Sequence, residues 1–133
     1  KKYAQGVVVY SVGGTGLAEL VEKGDIKSLK IKSILNTYLT PLIARGVDAI
    51  ALGCTHYPFL RQEIEKVVGP NVYLVDSGGA VARRLKTILQ NNDLLSKKRK
   101  ESIYYTTGEA VKFGNVAKVL LKRQLNKVEH LDL

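Results

Sequence analysis

Short β-branched runs alternate with longer amphipathic segments along this chain, and each run stops at a glycine or a polar turn. That alternation constrains the fold more than any other feature. An apolar run followed by a stretch of helical periodicity builds a strand, a crossover helix and a parallel neighbour. Gly6-Val7-Val8-Val9-Tyr10-Ser11-Val12 reads as a buried strand ending at Gly13-Gly14. Val47 to Leu52, Val72 to Val75 and Ser102 to Thr106 read as three more. Between them the spacing predicts a short helix from Leu17 to Lys23. A long one follows from Ile26 to Ala44, capped by Asp25, with Ile31, Ile34, Leu35, Tyr38 and Leu42 on one face. Pro41 predicts a kink or a break in it. Pro58 opens a helix that runs to Val68 and stops at Gly69-Pro70. Further helices are expected from Ala80 to Gln90 and from Phe113 to Leu125. The fold class is α/β, with parallel strands and right-handed crossovers.

With 133 residues, 45% hydrophobic and 25% charged, the chain is one ordinary domain or parts of two, and wholesale disorder is excluded. The longest uncharged stretch, Ala49 to Leu60, is too short and too polar to span a bilayer. No basic segment followed by an apolar one opens the chain, so no secretory signal is expected. A single cysteine forms no internal disulfide, and the expected compartment is the reducing cytoplasm. The net charge is +9, with a compact run at Lys97-Lys98-Arg99-Lys100. Such a run is a solvated loop or, alternatively, a contact for nucleic acid or an anionic surface.

In open α/β sheets, ligands bind beyond the carboxyl ends of the strands. Three such ends carry informative residues. Gly13-Gly14-Thr15-Gly16 is a flexible loop or an anion-binding turn, but it lacks the Lys-Ser/Thr pair of a P-loop. Asp76-Ser77-Gly78-Gly79 is a helix cap or a site-lining turn. The third end is Gly53-Cys54-Thr55-His56-Tyr57-Pro58. Cys54 there is either a small buried hydrophobe or a reactive thiol beside a helix start, whose free N–H groups favour the thiolate. His56, two residues on, is placed to supply or orient a proton. Thr55 offers a hydroxyl and an N–H to a carboxylate or amine.

The string Ala49-Ile50-Ala51-Leu52-Gly53-Cys54-Thr55-His56-Tyr57-Pro58 closely resembles the second catalytic-cysteine motif of glutamate racemases. Three further segments resemble that family in order: Leu20-Val21-Glu22-Lys23-Gly24, then Val75-Asp76-Ser77-Gly78 with Ala80 and Ala82, then Tyr105-Thr106-Thr107-Gly108 with Phe113 and Leu120-Leu121. Related aspartate racemases typically carry Glu where this chain has His56, which favours glutamate as the substrate. The family's first cysteine, in a Cys-Asn-Thr motif, has no counterpart here, nor have its N-terminal Asp-Ser-Gly motif and Tyr-Gly loop. Gly14-Thr15 stands where the family often has Cys-Pro.

The resemblance implies the C-terminal half of a protein built from two facing three-layer, parallel-sheet lobes. Residues 1–73 would be part of the second lobe, carrying the Cys54 motif, and residues 74–133 the segment returning to the first. It implies cofactor-independent interconversion of L- and D-glutamate, supplying D-glutamate for peptidoglycan and the cell wall. Cys54 would be the acid/base on one face of the substrate, Thr55 and His56 would contact substrate or tune the thiol, and Glu22 would support His56. No metal and no cofactor are implied. The expected partners are glutamate, the other half of the protein and a second copy, with neither membrane nor nucleic acid. A non-catalytic anion- or nucleic-acid-binding module is the alternative. A sibling racemase or decarboxylase on the same fold and a Cys-His hydrolase fit the motif less well.

Overall fold

Ser28, not Asp25, opens the long helix. Its hydroxyl accepts the Ile31 N–H at 3.3 Å, while Asp25 Oδ1 accepts the Ser28 N–H at 3.2 Å. The two side chains thus divide the capping between them, and the helix begins three residues later than Asp25 alone implies. The computed structural model describes residues 5–96, 98 and 100–133. In chain order the elements are α1 (Leu17–Glu22), α2 (Leu29–Ile43), β1 (Ala49–Ala51), a 3-10 turn (Tyr57–Leu60), α3 (Arg61–Val68), β2 (Tyr73–Val75), α4 (Gly78–Asn91), β3 (Tyr104–Thr106), α5 (Ala110–Leu121) and β4 (Val128–His130).

Pro41 does not break α2. It lies within one turn of the helix end, so only one ladder bond is lost before the helix stops. Helix α1 ends in a Schellman arrangement, with Gly24 N–H on Val21 O at 2.8 Å and Asp25 N–H on Leu20 O at 3.0 Å. The turn needs the left-handed backbone that Gly24 adopts at φ +74°.

Strands β1 and β2 are parallel, with Ala49 opposite Tyr73, Ile50 opposite Leu74 and Ala51 opposite Val75. Strands β3 and β4 form a second parallel pair. The core comes from Leu17, Leu20 and Val21 of α1, Ile31, Leu35, Leu39 and Leu42 of α2, Leu60, Ile64 and Val68 around α3, and Leu74 of β2. Ile31, Leu35 and Leu42, expected inside from their spacing, are buried. Away from this core the first sheet is open: Tyr73 is 72% and Val75 44% exposed. Helix α4 is amphipathic, yet it buries no residue, and Val81, Leu85 and Ile88 are exposed. The α/β architecture with parallel pairs is therefore that of an incomplete lobe.

Two further sequence expectations need correction, and one strand goes beyond them. Gly6 to Val12 is not a strand: it has no ladder partner among the described residues, and Val7, Val8 and Val9 are exposed. β-propensity without a hydrogen-bonding neighbour does not make a strand. The last helix runs over Ala110–Leu121, not Phe113 to Leu125. Val128–His130, unassigned by pattern because it is three residues long and polar at two of them, pairs with β3 as β4. No helix among the described residues is long and apolar enough to cross a membrane. In the basic run, Lys98 and Lys100 are exposed outside regular structure, and Lys97 and Arg99 lie outside the described residues.

Candidate active site

The chain leaves β1 through Leu52, whose N–H still bonds Val75 O at 2.8 Å, and turns at Gly53-Cys54. Tyr57 N–H closes the turn on Cys54 O at 3.2 Å, and Phe59 N–H bonds His56 O at 3.1 Å. Pro58 sits in the first positions of the 3-10 turn, where a missing N–H is tolerated. The sulfur is therefore held at a strand tip against the first amides of a helical turn. Cys54 is half-buried, not sealed into the apolar core.

Three of the residues singled out from sequence converge here. Cys54 Sγ lies 3.5 Å from His56 Nδ1, and His56 Nε2 pairs with Glu22 Oε1 at the end of α1. Both contacts are met by an imidazolium donating from each nitrogen to the thiolate and the carboxylate, or by a neutral ring that donates to Glu22 and accepts the thiol proton. The Glu22 carboxylate, and then the thiol, hold the His56 pKa above the ordinary histidine value. The Cys54 thiol is lowered below its ordinary value, first by the His56 backbone N–H, with partial burial opposing and the His56 ring adding to the effect. The helix-start argument from sequence thus has a specific donor. Thr55 is exposed at the apex of the same turn.

Asp76 is not part of this cluster. Its Oδ2 lies 2.5 Å from Arg61 Nη2 and its Oδ1 accepts the Gly78 N–H at 3.0 Å. Arg61 also reaches Leu74 O at 3.4 Å, so the pair ties the end of β2 to the start of α3. The Arg61 guanidinium first, and the Gly78 amide second, hold the Asp76 carboxyl below the usual carboxylate range. Two carbonyls of the Gly13-Gly14-Thr15-Gly16 loop are held by tyrosines: the Tyr57 hydroxyl donates to Gly14 O at 3.2 Å and the Tyr38 hydroxyl to Thr15 O at 3.4 Å. The hydrogen-bond contacts of Arg61, Tyr57 and Tyr38 were not legible from sequence, because their partners are 13 to 43 residues away. A groove of about 670 Å³ runs from Glu22 along the start of α5, lined also by Lys23, Glu109, Lys112 and Asn115; Cys54 and His56 do not line it.

No family model matches the chain. It is 40% identical over 121 residues to the glutamate racemase of Herpetosiphon aurantiacus, which covers 90% of this chain and 48% of that protein. The fold is similar to that of glutamate racemase from Bacillus anthracis, with a TM-score of 0.76 and 32% identity over 88% of this chain and 44% of the other. It is also similar to the Francisella tularensis enzyme solved in complex with D-glutamate, with a TM-score of 0.74 and 26% identity over 87% of this chain and 44% of the other. The chain spans about half the length of the curated relatives it matches. By sequence and by fold, this chain belongs to the glutamate racemase family and corresponds to the C-terminal half of its members.

Proposed function

We propose that Cys54 is one of the two acid/base groups of a cofactor-independent glutamate racemase, and that the other is supplied by the half of the protein outside this chain. Inversion at an α-carbon needs a base on one face and an acid on the other. As thiolate, Cys54 takes the α-proton and becomes a thiol; the electron pair is left on the α-carbon, and a thiol on the opposite face returns a proton there. In the reverse direction Cys54 is the donor, so each turnover leaves the two groups exchanged in protonation. The observation that carries the assignment is the Cys54–His56–Glu22 chain, in which a histidine ring paired with a carboxylate stands against a half-buried sulfur. Thr55, at the apex of the turn, is assigned to the substrate's polar groups, and His56 to tuning the thiol. Glu22 holds His56. The substrate is glutamate, and the product supplies D-glutamate for peptidoglycan in the cytoplasm. Residues 1–73 contribute to the lobe that carries Cys54, and residues 74–133 return toward the other lobe. The exposed faces of α4 and of the first sheet fit burial against that other half and, in the complete protein, a second copy.

The test is deuterium wash-in at the α-carbon of each glutamate enantiomer. The 133-residue chain alone is expected to show no racemisation, because it holds one thiol where two are needed. The complete protein is expected to racemise and to lose that activity in Cys54→Ala. Full turnover by the chain alone, or substantial activity in the complete Cys54→Ala protein, would overturn the proposal.

A further inference from the structure

Tyr57 joins two segments that each carry part of the cysteine cluster. Its backbone N–H closes the Cys54 turn, while its hydroxyl donates to Gly14 O at 3.2 Å. The same carbonyl accepts the Leu17 N–H at 3.2 Å, the first amide of α1. Helix α1 has only six residues, and its last is Glu22. A rigid single-turn-and-a-half helix thus connects the Tyr57 contact at one end to the His56 contact at the other. The fit at position 14 is close: a Cβ there would stand 2.9 Å from Tyr57 Cζ and 3.0 Å from Leu17 Cδ1. A side chain at this position would have to displace the hydroxyl end of Tyr57.

We infer that Tyr57 is a positioning residue that, by tying the start of α1 to the Cys54–His56 turn, holds Glu22 against His56 and thereby sets the reactivity of the thiol. The inference rests on Cys54 being a reactive thiol, as proposed above, but not on racemisation itself. The titratable groups facing Tyr57 are Cys54 from its own turn, Glu19 from α1 and Tyr38 from α2; those facing His56 are Glu22 and Cys54. Partial burial raises the Tyr57 phenol above its ordinary value, so it stays a protonated donor while the thiol titrates. If the hydroxyl is removed, Gly14 and the start of α1 lose their hydrogen bond to the Cys54 turn, Glu22 drifts from the imidazole, and His56 loses its proton at lower pH. The thiolate then loses its cationic neighbour.

Cys54 is the chain's single thiol, so its alkylation by iodoacetamide reads one site. The pH profile of that rate is compared in the 133-residue chain for the unaltered protein, Tyr57→Phe, Glu22→Gln and the double variant. Tyr57→Phe keeps the ring and is expected to move the midpoint upward by about half a unit, about threefold slower alkylation at neutral pH. Glu22→Gln is expected to give a similar or larger shift, and Tyr57→Phe to add nothing on the Glu22→Gln background, because both act through the same contact. An unmoved profile in Tyr57→Phe, or the same shift on both backgrounds, overturns the inference and leaves the proposed function standing. Loss of helical circular dichroism in Tyr57→Phe also overturns it, since the hydroxyl would then hold the fold and not the register of Glu22. Free-thiol behaviour in the unaltered chain removes this inference together with the activated-thiol assignment.

Discussion

His56 presents Nδ1 to the Cys54 sulfur at 3.5 Å while its other nitrogen is held by Glu22. The ring is therefore contacted on both nitrogens, and the carboxylate favours its protonated form beside the thiol. The sulfur sits on a turn, half-buried, beside this ring.

Replacing His56 by alanine separates the ring from the backbone. The His56 N–H, the largest influence lowering the thiol pKa, remains in place, and only the ring is lost. Alkylation of Cys54 at neutral pH is expected to slow by about three- to tenfold without falling to zero, equivalent to about 0.7–1.4 kcal/mol in thiolate stability. Unchanged kinetics would mean that the ring does not act on the sulfur.

The His56–Glu22 pair also gives stability a pH dependence. The folded-state pKa of His56 is raised above the unfolded value of about 6.5, so the pair stabilises fully below that pH. The contribution is lost as pH rises through the folded-state value. Side-chain exposure is 28% for His56 and 68% for Glu22, so solvent screening keeps the effect below about 1 kcal/mol. Urea midpoints measured on either side of the histidine range should show this decline in the unaltered chain and a flatter profile in Glu22→Gln. Parallel profiles would contradict it.

Glu63 poses a different balance. It is 3% exposed, its Oε1 lies 2.6 Å from Lys66 Nζ, and its Oε2 has no partner among the described residues. A buried carboxylate with one unmet oxygen carries a desolvation cost that its ion pair only partly offsets. Glu63→Leu is expected to be neutral or stabilising in urea unfolding. Lys66→Met, which strands the carboxylate, is expected to cost about 1–3 kcal/mol. The opposite order would mean that Glu63 makes contacts beyond Lys66.

Two leucines of similar sequence context should behave in opposite ways. Leu35 on α2 is 2% exposed, and Leu35→Ala is expected to cost about 2–5 kcal/mol, enough to unfold a chain of this size. Leu85 on α4 is 55% exposed, and Leu85→Lys is expected to change the urea midpoint by less than about 0.5 kcal/mol while reducing self-association in light scattering. A large loss from Leu85→Lys would show that α4 packs in solution against something other than water.

Local physics in the sequence determined much of this protein. The spacing of Ile31, Leu35 and Leu42 marked the buried face of α2, Gly24 and Gly69 marked helix ends, and the Gly-Cys-Thr-His-Tyr-Pro string marked the strand tip that holds the thiol. These features depend on neighbours within a few residues, so pattern and propensity suffice to reveal them. The tertiary structure alone decided whether Val7 to Val12 paired, that His130 lay on a strand, and that the Tyr57 hydroxyl met Gly14 across 43 positions. A strand exists only beside another strand, and a hydrogen bond between distant residues exists only once the core between them has packed. Neither condition is written in the local order of side chains.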